Sequence, residues 1–163
     1  MTAVRGPARA AVILFGVYVV SQGWIASLLH PLGRDVLRLQ TTGDPEEVQR
    51  IMTSWTPEQR AQYRKHLPPD TLHPLIYASA LIAAGIAGHA ATTPTWARSV
   101  AIAAPAASTA CDLAENALHA RFVNHPGRTT RSAARAATLF TRTKWALALG
   151  TAAALLTRSA RNR

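Results

Sequence analysis

The chain of 163 residues has one cysteine, Cys111, and few aromatic side chains, which make up 6% of the residues. A single cysteine excludes an internal disulfide, a CxxC redox pair and a cysteine-rich metal site. Acidic residues are also scarce, 8 against 18 Lys and Arg, which leaves a net charge of +10. The basic residues flank apolar blocks, which is the pattern of residues that contact lipid headgroups. We therefore expect a lipid bilayer as partner, and no nucleic acid.

Charged residues are missing altogether from two long stretches, residues 10–29 and 71–97. Each stretch reaches the roughly 20 residues that a helix needs to cross the hydrocarbon core of a membrane. The apolar runs predict four transmembrane helices, at about 10–30, 72–93, 98–120 and 134–157. We expect an all-α fold in which residues 1–163 form a single membrane domain, a four-helix bundle that crosses the cell membrane several times.

The region 31–70 is the longest polar stretch, and we predict two short amphipathic helices in it. Asp44-Pro45 and Thr56-Pro57 each read as a helix start, with a capping residue followed by proline at its favoured position. The spacing of Val48, Ile51, Met52 and Trp55 gives the first helix one apolar face. This face packs on the end of the bundle, or else the helix is a membrane-surface element or a lid. Asp70 is expected to cap the second membrane helix.

The third segment contains a polar stripe. Ser108, Asp112, Glu115 and His119 fall at i, i+4, i+7 and i+11, and Asn116 lies beside Asp112. An ionisable side chain in hydrocarbon costs about 2.5–3.5 kcal/mol even on the gentler insertion scales. The stripe must therefore turn toward the interior of the protein.

The fourth segment is predicted to supply a charge partner for these acids. Only residues 145–157 are free of charge, and the roughly 20 Å of helix they form is too short to span a core of about 30 Å. The helix must therefore begin earlier, which draws Arg142 and Lys144 into the membrane. A hairpin that turns at Pro126-Gly127 places Arg142 level with Asp112, so we predict Arg142 as the partner. Lys144 lies about 200° away on the helix and would face elsewhere.

Two interpretations of the acids remain open. Asp112, Glu115 and Arg142 could form a buried salt-bridge network that fixes the register of the helices. Alternatively, poor solvation keeps one carboxyl protonated, so that it serves as a proton donor. His73, His89 and His119 lack the spacing of a metal site, and no glycine-rich phosphate loop occurs, so we expect neither a metal nor a cofactor.

Residues 112–116 read DLAEN and residues 68–77 read PPDTLHPLIY. In these two runs and in its four apolar segments, the chain resembles the small actinobacterial integral-membrane terpene cyclases of indole-sesquiterpenoid pathways. The resemblance implies an acid-catalysed cyclisation or isomerisation, in which a membrane-embedded carboxyl protonates an epoxide or alkene of an isoprenoid-like substrate. Asp112 or Glu115 would then be the acid, with Asp70 or Asn116 assisting it.

Aromatic faces could stabilise the positive charge that develops on such a substrate. The candidate substrate-binding residues are Tyr18, Trp24, Tyr77, Phe140 and Trp145.

The same residues allow two alternatives to an enzyme. An intramembrane carboxylate can bind and release a proton in a small proton-coupled transporter, which with four helices would usually be a homo-oligomer. A non-catalytic membrane subunit would use the acids and Arg142 as a purely structural network.

Overall fold

The protein is built of helices throughout the residues that the computed structural model describes, 5–88 and 93–161. The helices are α1 (Arg5–Leu29), α2 (Arg34–Thr41), α3 (Pro45–Ser54), α4 (Pro57–Gly88), α5 (Thr95–Asn124) and α6 (Arg131–Arg161). Short 3-10 turns at His30–Leu32 and Pro126–Arg128 follow α1 and α5. The all-α prediction and the predicted turn at Pro126-Gly127 are confirmed.

The four long helices α1, α4, α5 and α6 each contain one of the predicted apolar segments. They run alternately up and down, and α4 packs against α1 on one side and α5 on the other, while α6 packs on α5 and touches α4. Two stretches, Gly6–Leu32 and Pro57–Gly88, are long and apolar enough to cross a membrane by length and composition. The predicted second segment ends at residue 93, and residues 89–92 lie outside the described residues.

Helices α2 and α3 cover one end of these long helices. Together with the adjoining ends of α4, α5 and α6 they form what we call the cap. Its apolar core contains Leu39, Met52, Tyr63, Phe122 and Ala134. The predicted face of α3 is buried in this core, and the side chain of its N-cap residue Asp44 accepts a hydrogen bond from the backbone N–H of Glu46 at 3.0 Å. Helix α3 therefore packs on the end of the bundle.

The second predicted short helix does not exist as a separate element. Thr56 and Gln59 exchange the capping hydrogen bonds expected of a helix start, at 2.9 and 3.2 Å. The helix that begins there does not stop before the second apolar segment, however, but continues as α4 through Pro68, Pro69 and Pro74. The second short helix of the region is instead α2, which was not predicted. Asp70 lies within α4 and caps nothing.

A contact between helices compensates for the last of the three prolines in α4, Pro74. Pro74 has no N–H, so the carbonyl of Asp70, four residues earlier, loses its helical donor. The buried side chain of Asn116 on α5 replaces that donor, because its Nδ2 donates to the Asp70 carbonyl at 3.0 Å. A hydrogen bond from another helix thus satisfies the acceptor that the local sequence leaves unpaired.

This substitution of donors can be tested with a double-mutant cycle. Asn116→Leu leaves a buried carbonyl unpaired, so we expect it to lower the free energy of unfolding by about 1–3 kcal/mol. In a Pro74→Ala background, the new N–H at position 74 can donate to the same carbonyl, and the cost of Asn116→Leu should fall. Denaturant unfolding of the purified variants measures both costs. If Asn116→Leu costs the same in both backgrounds, Asn116 does not replace the donor that Pro74 lacks.

Candidate active site at the polar end of a cavity

The polar stripe of α5 is turned inward, as predicted. Ser108, Asp112, Glu115 and His119 expose 0%, 5%, 1% and 2% of their surface. They face α4 and α6, which pack on either side of this part of α5. Two carboxyl groups are therefore buried within one turn of each other, and both require a partner.

That partner is Lys144 of α6. Its Nζ lies 2.7 Å from Asp112 Oδ1 and 2.8 Å from Glu115 Oε2, so one ammonium bridges both acids. Lys144 is buried, whereas Arg142 is exposed. The prediction that Arg142 pairs with the acids is wrong.

The predicted register of the α5–α6 hairpin was close to the observed one, and the error concerned which face of α6 meets α5. Ser108 Oγ donates to the carbonyl of Lys144 at 2.9 Å, so the two helices are level within about one turn of the prediction. The buried face of α6 consists of Ala134, Ala137, Thr138, Thr141 and Lys144. These residues follow helical spacing, and the small ones let the backbones approach each other. Arg142 lies about 200° from Lys144 and points away from that face.

Asp112 has a second polar partner on α4. The hydroxyl of Tyr77 lies 2.9 Å from Ser108 Oγ and donates to Asp112 Oδ2 at 3.4 Å. One carboxylate oxygen of Asp112 thus meets Lys144 and the other meets Tyr77. These contacts fix the position of the Asp112 carboxylate.

Asp70 is placed differently. Its side chain is 18% exposed and its Oδ2 lies 3.8 Å from Nε2 of His66, one turn earlier on α4. None of the ion pairs formed by described residues joins Asp70 to a lysine or arginine. Among Asp70, Asp112 and Glu115, Asp70 is therefore the carboxyl that forms no ion pair with a lysine or arginine in the described part of the chain.

A cavity of about 650 Å³ opens beside these residues, between α1, α4 and α6. This volume is within the range of small-molecule sites, about 300–1,000 Å³. Most of its wall is apolar, and the polar side chains that line it are Tyr18, Gln22, Gln40, Asp70, His73, Tyr77, Asp112 and Lys144. Two of the acids predicted from the sequence, Asp70 and Asp112, therefore lie at a space that can hold a ligand.

The predicted site residues divide into three groups around this cavity. Asp70, Asp112, Tyr18, Tyr77 and Trp145 line it. Glu115 and Asn116 lie behind the wall, where Glu115 contacts Lys144 and Asn116 contacts the backbone of Asp70. Trp24, which is 58% exposed, and Phe140, which is partly buried, lie outside the lining.

His73 is a lining residue that the sequence reasoning considered only as a metal ligand. Its Nδ1 lies 2.7 Å from Ser21 Oγ, and its ring stacks on Tyr18 with the ring centroids 5.1 Å apart. These contacts join α1 to α4 at the level of the acids. Asp70, His73 and Tyr77 fall at i, i+3 and i+7, so their spacing on one helical face was a signal that could have identified His73.

The role of Lys144 gives a direct test of the network. Lys144→Met leaves two buried carboxyls without their cation, and breaking a buried ion pair in this way typically costs about 3–5 kcal/mol. We expect a corresponding loss in the free energy of unfolding, measured by denaturant titration in detergent micelles.

Arg142→Met is the matched control, because the side chain is exposed and should change stability by less than about 0.5 kcal/mol. The triple variant Lys144→Met, Asp112→Asn, Glu115→Gln removes all three charges and should recover much of the lost stability. An arginine variant as damaging as the lysine variant would show that the pairing is assigned to the wrong residue.

In comparisons with known proteins, no family model matches the chain, and no curated protein or solved structure matches it either. Function is therefore inferred from the geometry of the chain's own residues.

Proposed function

We propose that the protein is an integral membrane enzyme that protonates an isoprenoid-like apolar substrate and so initiates its cyclisation or isomerisation. The observation that carries the proposal is the contrast between the acids. Asp112 and Glu115 share Lys144, whereas Asp70 faces the same cavity without a lysine or arginine partner among the described residues. Asp70 is the proton donor, and Asp112, Lys144 and Glu115 form the charged frame beside it.

The proposal includes four membrane crossings, by α1, α4, α5 and α6. Large apolar side chains are exposed on all four, including Val20, Leu75, Val100 and Leu156. Large apolar side chains exposed on every long helix are typical of contact with lipid. On α5 and α6 the charged residues nearest the middle of the bundle are Asp112 and Lys144, which neutralise each other.

Four crossings place both chain termini on one side of the membrane and the 126–128 turn on the other. A topology reporter fused to either terminus should therefore give the same signal, and one inserted at Gly127 should give the opposite signal. The reporter would be an enzyme active on one side of the membrane only. Opposite signals from the two termini would contradict the four-crossing arrangement.

The chemistry requires no co-reactant. A proton from the Asp70 carboxyl adds to an epoxide oxygen, the C–O bond breaks, and a double bond of the same chain attacks the carbon that becomes electron-deficient. Loss of a proton from the resulting cation to the Asp70 carboxylate restores the acid, so the product is an isomer of the substrate. The apolar wall excludes water that would otherwise capture the cation.

Two aromatic rings are placed to stabilise the cation. Tyr18 and Trp145 lie on opposite walls of the cavity, on α1 and α6. A cation held over an aromatic face gains about 0.5–2 kcal/mol, more where water is excluded. The nearby carboxylate of Asp112 adds electrostatic stabilisation of the same sign.

The proposal is tested with membranes that contain the protein and a panel of linear isoprenoid alcohols whose epoxide adjoins the hydroxyl group. Gas chromatography with mass spectrometry would detect products of unchanged mass and new retention time. We expect Asp70→Asn to lower turnover at least about 100-fold, because general acid catalysis contributes about that much or more. Asp70→Glu should retain part of the activity.

Glu46→Gln is the control, since Glu46 is exposed on the cap, and it should leave turnover unchanged. Immunoblots of the membranes separate loss of chemistry from loss of protein. Full turnover by Asp70→Asn at normal protein level would overturn the role of Asp70.

A further inference from the structure

The cavity is polar at one end only. Its polar lining residues on α4 and α6, Asp70, His73 and Lys144, lie toward the cap, and Gln40 comes from the cap itself. Farther from the cap the wall is formed by Val12, Ala84 and Ala152 and their neighbours, all of them apolar. A molecule that fits both ends must carry its polar group at one terminus and a long apolar chain behind it.

The outer face of α6 indicates the depth of the polar end in the membrane. Arg131, Arg135 and Arg142 are exposed on the part of α6 nearest the cap. Beyond them the exposed large side chains are Trp145 and then Leu149 and Leu156, which are apolar. An arginine within the membrane extends its long side chain to the membrane–water interface, so the cap-side interface lies toward the cap from Arg142, within reach of its guanidinium. Lys144 lies two residues farther along α6, which places the polar end of the cavity just inside that interface.

The opening of the cavity lies on the apolar surface. Val12, Phe15, Trp145 and Leu149 line the cavity and are also well exposed to the outside. Since they belong to α1 and α6, the opening runs between these two helices. A molecule from the cap-side leaflet can enter there sideways without turning over, with its head near the interface and its chain toward the middle of the bilayer.

The charged residues at the polar end of the cavity determine which head group a ligand can carry. The Lys144 ammonium lies within 2.8 Å of two carboxyls, those of Asp112 and Glu115, and a third carboxyl, that of Asp70, lines the same cavity. A phosphate or carboxylate head would lie against these carboxyls, while the lysine that lines the cavity is already paired with two of them, and such like-charge contacts are unfavourable. An alcohol or an amine can donate hydrogen bonds to Asp70 instead.

We propose that the cavity binds a single-chain amphiphile with a hydrogen-bond-donating alcohol or amine head, which enters from the cap-side leaflet between α1 and α6 and is held head-first against Asp70. This inference rests on the proposed function for the reaction that follows, since it names the class of the substrate. Binding itself requires no catalysis.

The experiment uses the full chain in phosphatidylcholine nanodiscs and four photoreactive amphiphiles. They share one saturated chain with a diazirine near its end and differ only in the head, which is an alcohol, an amine, a carboxylate or a phosphate. After irradiation, mass spectrometry of peptides measures how much probe is attached and where. We expect the alcohol and the amine to label cavity residues of α1 and α6 about tenfold more than the two anionic probes, which corresponds to about 1.4 kcal/mol.

A matched pair of variants tests the location. Ala148 lines the cavity and Ala146 faces outward on the same helix. Ala148→Trp should fill the apolar part of the cavity and abolish the labelling of cavity residues, whereas Ala146→Trp should leave it unchanged. If Ala148→Trp fails to fold, the comparison of heads on the unmodified chain still decides the matter. Equal labelling by all four heads, or labelling confined to outward-facing residues, would overturn the inference.

Different results would overturn the proposed enzyme and the proposed binding site. Head-selective labelling together with an absence of epoxide turnover would overturn the proposed enzyme and support the binding site. Turnover of epoxides without head-selective labelling would support the enzyme and overturn the head-group selection argued from the charges.

Discussion

The contact of one lysine with two buried carboxylates is the constraint on which the rest of the structure depends. Asp112 and Glu115 occupy the inner face of α5, where neither can remain charged without a partner. Lys144 reaches both from α6 at 2.7 and 2.8 Å. Because charge attracts strongly in a poorly solvated interior, this contact fixes both the rotation of α6 and its level against α5. It also places a charged group in the wall of the cavity.

The same helix α5 determines the shape of α4. Asn116 is one residue from Glu115 and donates to the Asp70 carbonyl that Pro74 leaves without a helical partner. One helix therefore both anchors the ion pair and keeps α4 continuous at the point where Asp70 faces the cavity. The structural and the chemical interpretations of the acids are thus compatible, since they concern different carboxyls. In the proposed enzyme, Asp112 and Glu115 belong to the charged frame and Asp70 is the proton donor.

Much of the site could be predicted from helical spacing, because spacing determines which residues share a face. The stripe Ser108, Asp112, Glu115, His119 is buried as expected. The prediction of Arg142 was wrong because it rested only on which residues lie opposite each other along the α5–α6 hairpin. Position along the hairpin does not determine which side of α6 meets α5. Helical spacing also did not show which aromatic candidates line the cavity. Trp24 lies on an outward face of α1, outside the lining.

The sequence by itself determined the helical class, the apolar segments, the starts of α3 and α4 and the inward direction of the α5 acids. Each of these follows from local chemistry: an absence of charge, a capping residue, or the cost of an ionised group in hydrocarbon. Only the tertiary structure decided that α4 passes through three prolines, that Lys144 rather than Arg142 pairs with the acids, and that Asp70 faces a cavity. These depend on contacts between residues far apart in the chain, as in Asn116 with Asp70, and such contacts override local preferences because they satisfy groups that the helix itself leaves unpaired.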